Sequence, residues 1–406
     1  MNIAHPKSIN TPGNRRQVPN SLGRKTFDVA DASRPVLSSN DQINLGSLIQ
    51  TLADFPETQA MLLNALAYRY LELSLLEKAE PLLEQSLSLR RDTPGIPAQD
   101  QIPSLINLAE VRSAQRRWEE AESLLQEALR LAQEDGGYRL RIQRNRAGLL
   151  ADRQRYDDSE RLYRDVLEAL EPQGVDTAEV AWLRNNLAFT LQQQDGSSQE
   201  AEALYRENLQ PHRRSAPELQ RPVAATLVNL GALLQQRGET AEAEALLREG
   251  IDLQQQIHGQ DPRTAKAQHN LAFLLHRQGR LEEAEGGYQD ALGVLEGTAG
   301  QTTEHAGVLR NLASLQLQRD AVTGAEESIL RALNLYSSQE GTPGWRIAVS
   351  NSILGGCRLA QGRLEEAAPL LEESFAALQA NPAPDPSYTQ EARERVEQLR
   401  RQQEQS

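Results

Sequence analysis

The sequence predicts an all-α protein, built as a solenoid of about eight helix-turn-helix repeats. Two observations carry this prediction. A small residue followed by glutamate recurs along the chain at intervals of 38 to 42 residues. Around each recurrence, apolar residues stand three and four positions apart, which places them on one face of a helix. A single hairpin cannot bury such a face alone, so neighbouring hairpins must stack and share one core.

The recurring pair marks the start of the second helix in each hairpin. Most repeats carry another small residue seven positions later, and small side chains at fixed positions let two helix axes approach closely. The last pair lacks its glutamate. The pairs are Ala79-Glu80, Ala121-Glu122, Ser159-Glu160, Ala201-Glu202, Ala243-Glu244, Ala284-Glu285, Ala325-Glu326 and Ala367-Ala368.

The N-terminal region differs in composition from the rest of the chain. Residues 1–40 are rich in Pro, Asn, Ser and Gly and show no apolar periodicity, which predicts a disordered tail. The tail is basic, because residues 1–27 contain five Lys and Arg residues and no acid. An organellar transit peptide is one alternative, although the prolines oppose the helix it requires. A tail that folds back onto the acidic solenoid is another. We predict that residues 41–56 form a short N-terminal capping helix.

Turn-forming residues separate the repeats of the predicted solenoid, which covers residues 57–380. The eighth repeat is atypical, as terminal repeats often are, because it contains Ile353 where other repeats have Asn. After a proline-rich break, residues 387–404 predict a charged C-terminal capping helix with a thin apolar stripe.

Several short motifs resemble those of the tetratricopeptide repeat. Gln-Gly-Arg-Leu-Glu-Glu-Ala occurs at 278–284 and 361–367, and His-Gly-Gln-Asp-Pro occurs at 258–262. Asn-Leu-Ala/Gly triplets stand at 107–109, 186–188, 229–231, 270–272 and 311–313. The spacing of roughly 42 residues looks like the kinesin light chain subtype. HEAT and armadillo arrays have similar periods, but the small-residue positions fit a tetratricopeptide hairpin better. The resemblance implies a right-handed superhelix with a concave groove.

The resemblance also implies which residues line that groove. In tetratricopeptide proteins the outer face of each first helix faces the groove, and in kinesin light chains an asparagine column faces the cargo. An Asn amide offers two donors and an acceptor, which suits the main chain of an extended peptide. The alternative is that Asn simply belongs to the repeat consensus. The column consists of Asn107, Asn145, Asn186, Asn229, Asn270 and Asn311, preceded by Asn64.

Neighbouring positions on the same face predict the chemistry of a ligand. Positive charge comes from Arg144, Lys266, His269, Arg277 and Arg310, and apolar anchors come from Trp182, Phe189 and Phe273. Such a face favours an acidic peptide with one or two hydrophobic residues. The alternative is that these charges are solvated or pair with glutamates of adjacent helices, where each pair contributes little.

Composition excludes several classes of function. The formal net charge is −14 and the pI is about 5.1, which disfavours nucleic-acid binding because phosphate contacts need a basic surface. The single cysteine, Cys357, allows no intramolecular disulfide and favours a reducing compartment. The sequence contains neither an apolar run long enough for a membrane span nor a secretory signal. We therefore expect a soluble, cytoplasmic protein with no membrane partner.

The sequence predicts a non-enzymatic protein without a metal or cofactor. It contains no Cys-x-x-Cys, no Gly-rich phosphate loop and no G-x-S-x-G motif. His269 and His276 share a helix face, but two helical turns separate them, which is too far for two ligands of one metal without others nearby. We expect a scaffold or adaptor that binds a peptide or protein segment in the groove. The alternatives are a regulatory sensor of a short peptide and a self-associating assembly factor, and the sequence does not define the oligomeric state.

Overall fold

The computed structural model describes residues 52, 54–73, 75–133, 135–170, 177–194, 196, 198–210, 216–296, 302–339, 342–381, 383 and 385–404. Contacts divide the chain into two units, Met1–Ile43 and Asn44–Ser406, and all described residues lie in the second. The predicted tail over 1–40 lies outside the described residues, as does nearly all of the predicted capping helix over 41–56.

Seventeen α-helices and two short 3-10 helices, with no strand, make up the described part of the chain, and none of these helices is long and apolar enough to cross a membrane. Sixteen of the α-helices pair into eight consecutive hairpins, termed repeats 1 to 8, which confirms the predicted solenoid. The pairs are α1 (Pro56–Glu72) with α2 (Leu76–Asp92), α3 (Ile102–Ala114) with α4 (Trp118–Ala132), α5 (Gly136–Asp152) with α6 (Tyr156–Leu170), α7 (Ala178–Gln192) with α8 (Ser198–Asn208), α9 (Gln220–Gln236) with α10 (Thr240–His258), α11 (Pro262–Arg277) with α12 (Leu281–Leu295), α13 (Thr302–Gln318) with α14 (Val322–Ser337), and α15 (Gly344–Ala360) with α16 (Leu364–Ala380). The 3-10 helices Ala98–Gln101 and Pro217–Leu219 precede α3 and α9, and α17 (Ser387–Gln403) follows repeat 8.

Local sequence explains where the helices of repeat 6 begin and end. The Asp261 side chain accepts hydrogen bonds from the backbone N–H groups of Arg263 and Thr264, and Pro262 occupies the first position of α11. Two residues before α12 begins, Gly279 has a φ of +76°, a left-handed conformation that glycine adopts without steric cost. Asp320 takes the equivalent position in repeat 7 with a φ of +58°. The turn inside a hairpin therefore needs one left-handed residue, whether or not that residue is glycine.

Small residues occupy the positions where helices approach closely, as predicted. The first residue of every recurring pair, from Ala79 to Ala367, is fully buried. The residues seven positions later are buried as well, including Gly250 in α10. A Cβ atom at Gly250 would lie 2.8 Å from Cγ2 of Val228 in α9, so the two helices meet too closely there for a larger side chain.

The glutamate of the recurring pair connects successive repeats. In repeat 5 the Glu244 carboxylate lies 2.7 Å from the Arg280 guanidinium, which belongs to the turn of repeat 6. Glutamates of four other repeats also pair with an arginine of the next repeat: Glu80 with Arg117 at 3.0 Å, Glu202 with Arg237, Glu285 with Arg319, and Glu326 with Arg358, which lies within α15. We term this row of pairs the inter-repeat ladder. The recurring glutamate therefore bridges to the next hairpin in addition to suiting the N-terminus of its own helix.

The last helix, α17, packs against both helices of repeat 8. It buries Ala392, Val396 and Leu399, and the cluster around Val396 and Leu399 includes Leu359 and Leu371. These three residues belong to the thin apolar stripe of the predicted C-terminal helix. The remaining side of α17 is polar.

Candidate binding groove

Side chains from successive hairpins line a cavity of about 670 Å³ that extends from repeat 1 to repeat 6. We term it the central cavity. The first helices α1, α3, α5, α7, α9 and α11 all contribute to it, so equivalent helix faces meet around one space. Its polar and aromatic lining consists of Tyr68, Glu110, Ser113, Arg144, Asn145, Asp152, Tyr163, Trp182, Asn186, Arg221, Gln254, His258 and Arg263.

Four of the predicted groove residues meet in the central cavity: Arg144, Asn145, Trp182 and Asn186. Trp182 is 36% exposed, so its ring is available for contact. Phe189 is 42% exposed and lies two turns further along α7, outside the lining of the cavity. An accessible indole beside polar side chains is the kind of apolar anchor that dominates many binding sites.

The asparagines of repeats 2 and 3 bond to the protein itself. Asn107 is only 2% exposed; its Nδ2 donates to Asn64 Oδ1 at 3.3 Å, and its Oδ1 accepts from Arg141 at 3.1 Å. Asn145 Nδ2 donates to the Arg141 carbonyl at 2.9 Å. Asn107 therefore contributes to the joint between repeats, whereas Asn145 lines the cavity.

The next three asparagines of the column differ from one another. Asn186 accepts a long hydrogen bond of 3.4 Å from its neighbour Asn185. Asn229 Nδ2 donates to Asn185 Oδ1 at 3.1 Å, which joins repeats 5 and 4. Asn270 is half-buried, and its side-chain amide makes no hydrogen bond within the part of the chain that the structure describes. The asparagine column is therefore partly a set of inter-repeat joints.

Arg310 and Asn311 depart from the expected accessible face. Arg310 is 5% exposed, and its guanidinium carbon lies 5.4 Å from the ring centroid of Trp345 and 5.0 Å from that of Tyr388. Asn311 is 4% exposed and bonds His269 Nε2 at 2.9 Å. Arg310 does not supply the expected accessible positive charge, because α17 covers it. A helical wheel of α13 contains no information about contacts with a distant helix such as α17.

The remaining predicted residues lie near this covered region. Lys266 and Arg277 are exposed, and Arg277 pairs with Glu391 of α17 at 3.4 Å. His269 Nδ1 lies 2.6 Å from the Glu304 carboxylate. The ring of half-buried Phe273 lies 6.2 Å from that of Tyr388. These side chains form a second group, separate from the central cavity.

Sequence reasoning missed several residues of the central cavity. Asp152 accepts a hydrogen bond from Ser113 at 2.7 Å, and although its side chain reaches solvent, desolvation by the surrounding protein raises its pKa. Asp152 lies seven residues after Asn145, and Arg221 lies eight before Asn229, so each lies on the same helix face as an asparagine of the column. Extending that face by two turns in each direction would have found them.

Two features of the described residues concern metal and thiol chemistry. No cluster of three or more His, Cys, Asp or Glu side chains there is arranged to hold a metal ion. Cys357 is buried, and this burial raises the pKa of its thiol to about 11. A thiol with such a pKa stays protonated at neutral pH and is a poor nucleophile.

The repeated helical hairpins agree with a known family of repeat proteins. A sequence model of the tetratricopeptide repeat matches residues 44–134, 138–210 and 222–297. These segments cover more than half of the chain, and the chain belongs to the tetratricopeptide repeat family. Repeats 7 and 8 lie beyond the matched segments but form hairpins of the same kind. A search of curated protein sequences gives no significant match.

Two solved structures illustrate the likeness of the fold, and a third match has too low a TM-score to support an argument. The apo form of the quorum sensor NprR from B. thuringiensis has 15% identity and a TM-score of 0.57, and the match covers 84% of this chain and 92% of that one. A Rap protein in complex with Competence and Sporulation Factor has 14% identity and a TM-score of 0.52, with coverages of 85% and 98%. BtubC (BKLC) from P. vanneervenii has 21% identity and a TM-score of 0.46, with coverages of 57% and 92%. At these identities the likeness shows the fold alone, and the kinesin light chain subtype stays a prediction.

Proposed function

We propose that the protein is a non-enzymatic scaffold or adaptor that binds an extended segment of a partner protein in the central cavity. The observation that carries this proposal is the convergence of Arg144, Asn145, Trp182 and Asn186, from two consecutive repeats, on one cavity of about 670 Å³. That volume is within the range of natural ligand pockets.

The lining of the cavity supports a more specific ligand. Glu110 and Asp152 come from repeats 2 and 3, whereas Arg221 and Arg263 come from repeats 5 and 6, and Trp182 of repeat 4 lies between them in chain order. Arg144 also lies in repeat 3 and pairs with Glu179 at 3.2 Å, and Arg263 pairs with Asp261 at 2.6 Å. An extended segment with a central apolar residue and an acidic group towards Arg221 and Arg263 fits the rest of the lining. The acidic peptide expected from sequence corresponds to the half of such a segment that faces the arginines.

Trp182 is the proposed apolar anchor. Its exposed ring and the exposed ring of Phe189 lie on the same face of α7, seven residues apart. Asn145 and Asn186 would hydrogen-bond the main chain of the ligand beside this anchor, which is the role that the kinesin light chain resemblance implies for the column. The other columnar asparagines, above all Asn107, are proposed to hold repeats together rather than to contact ligand.

A regulatory sensor is the second candidate. The solved structures of similar fold include one described as a quorum sensor and one in complex with Competence and Sporulation Factor. A sensor would use the same cavity but couple its occupation to a change elsewhere in the molecule, whereas an assembly factor would place a second copy of the chain on it. A cytoplasmic site of action suits the single buried cysteine.

The test is affinity capture from native lysate with quantitative mass spectrometry. The site variant carries Trp182→Ala and Asn186→Ala, and the matched control carries Leu330→Ala and Asn334→Ala, which lie exposed on α14 away from the cavity. Both variants must first match the wild-type helix content and melting temperature. We expect at least one partner to be lost from the site variant alone. Identical partner sets from all three proteins would refute binding in the central cavity.

A further inference from the structure

Helix α17 does more than cover the end of repeat 8. Its polar side reaches back across the solenoid to repeats 6 and 7, which lie 77 to 114 residues earlier in the chain. Tyr388 OH donates to Asn311 Oδ1 at 3.2 Å, and the Glu391 carboxylate lies 3.4 Å from the Arg277 guanidinium. A helix whose only task was to cap repeat 8 would not need these distant contacts.

The distant contacts centre on the buried guanidinium of Arg310. This group lies beside the stacked rings of Trp345 and Tyr388, and its N–H groups donate to Asn311 Oδ1 and to Tyr388 OH. Desolvated cation–π contacts stabilise a buried cation substantially. Tyr388 therefore fills a place that requires an aromatic ring with a polar tip, and without it the guanidinium would lose one stacking partner and one acceptor.

The surface beneath α17 thus selects a particular chemistry. It is formed by Phe273, Arg277, Arg310, Asn311 and Trp345, and we term this set the C-terminal surface. It offers two arginines, an amide and two aromatic rings. Tyr388 and Glu391 of α17 supply the complementary groups from one helical turn, because residues three positions apart lie on the same face.

The attachment of α17 to the rest of the molecule is modest. It buries three residues, Ala392, Val396 and Leu399, as many as α8 buries inside the solenoid, but as the last helix it packs mainly against the two helices of repeat 8. Elements with few buried apolar contacts open locally at much lower free energy than the core. The ion pair between Arg277 and Glu391 is half exposed, so it holds the helix weakly.

We propose that the C-terminal surface is a binding surface for a helical segment of a partner protein, in which a tyrosine is followed three positions later by an acidic residue. Helix α17 occupies this surface until such a segment displaces it. The exposed Lys266 and the neighbouring Arg346 add positive charge that favours an acidic segment. This surface shares no residue with the central cavity, so the two proposals stand or fail independently.

The test uses a fluorescent synthetic peptide of residues 385–404 as a stand-in for the partner segment. It is titrated against the full chain and against a released variant, the full chain carrying Val396→Asp and Leu399→Asp, which removes the apolar attachment of α17. We expect the released variant to bind the peptide at least tenfold more tightly than the wild type, because its surface is vacated. Equal affinities would overturn the proposal.

Peptide variants test the chemistry. Tyr388→Ala in the peptide should weaken binding by roughly tenfold or more, as loss of a buried aromatic anchor does. Glu391→Arg should weaken it by roughly fivefold, and Arg277→Glu in the released variant should restore the loss. Glu397→Arg, on the exposed side of α17, is the matched charge control and should change little. If the peptides with Tyr388→Ala and Glu391→Arg bind with the same affinity as the Glu397→Arg control peptide, the C-terminal surface does not select this pair of residues.

A second measurement covers the case in which the released variant does not fold. Hydrogen exchange is then measured on the full wild-type chain and on full chains carrying Glu391→Arg or Glu397→Arg. The proposal requires faster exchange of the α17 amides in Glu391→Arg alone. Unchanged exchange in both variants would make α17 a permanent cap and overturn the proposal.

Discussion

At the residue scale, small side chains determine where the helices of this solenoid meet. Gly231 is the third residue of an Asn-Leu-Gly triplet in α9. A Cβ atom there would lie 2.8 Å from Leu247 Cγ and 3.2 Å from the Ala243 carbonyl oxygen, both in α10. The backbone oxygen cannot move aside as a flexible side chain end can. The contact between α9 and α10 therefore depends on the absence of a side chain at this position.

We expect Gly231→Ala to destabilise the protein by about 1–2 kcal/mol, because overpacking outweighs the gain in helix propensity. Gly286→Ala is the control, since Gly286 lies on the exposed side of α12 and a Cβ atom there would have nothing within 4 Å. It should stabilise by roughly 0.5–1 kcal/mol. Urea unfolding followed by circular dichroism measures both values, and equal effects would show that α9 and α10 are not in close contact.

A second residue-scale prediction concerns Glu304. Burial alone would raise its pKa, but the hydrogen bond from His269 and the charges of His269, Lys266 and Arg346 hold the pKa at about 2. A carboxyl whose folded pKa lies below its unfolded value of about 4.5 stabilises the fold above pH 4.5. That contribution is lost as the pH falls from about 4.5 towards 2.

We therefore expect Glu304→Gln to be less stable than the wild type by about 1–3 kcal/mol at pH 6, and this difference should shrink to near zero by about pH 2. Chemical unfolding at several pH values measures it. The control variant Glu373→Gln, on the exposed side of α16, should show no such pH-dependent difference in stability from the wild type. A difference that stays constant with pH would exclude the depressed pKa as its cause.

At the element scale, the inter-repeat ladder joins repeat 1 to repeat 2 and joins consecutive hairpins from repeat 4 to repeat 8. Its members lie 32 to 37 residues apart, such as Glu244 and Arg280, so no pattern within one helix reveals the pairing. The periodicity did predict the helices, their order and the small residues between them, because these depend on local spacing. The partner of a ladder glutamate depends on how two hairpins stack, which only the three-dimensional structure defines.

We expect Glu244→Gln to destabilise the protein by about 0.5–1 kcal/mol at low salt, because its carboxylate loses the ion pairs with Arg280 and Arg248. In about 1 M NaCl the loss should become much smaller, since the Debye length falls to roughly 3 Å. Thermal unfolding of wild type, Glu244→Gln and the control Glu373→Gln at two salt concentrations tests this. A loss that does not depend on salt would point to packing instead of charge.

At the scale of the whole described molecule, the inner helix faces divide into two regions. In repeats 1 to 6 they line the central cavity, where Trp182 is exposed and Arg144 is half-buried and pairs with Glu179. In repeats 6 to 8 they meet α17, which buries Arg310 and Asn311. A helical wheel placed all of these residues on one face, but it could not distinguish the two regions. The difference arises because Tyr388 and Glu391 return to residues that lie 77 to 114 positions earlier.

The measurement that tests the central claim most directly is site-specific photo-cross-linking in native lysate. A photoreactive phenylalanine analogue replaces Tyr68, an exposed residue of the cavity lining outside the proposed anchor, in one protein and Leu330, on the exposed side of α14, in another. If partners bind in the central cavity, irradiation should yield a discrete cross-linked product from position 68 and none from position 330. Products from position 330 alone, or the same products from both positions, would contradict the account.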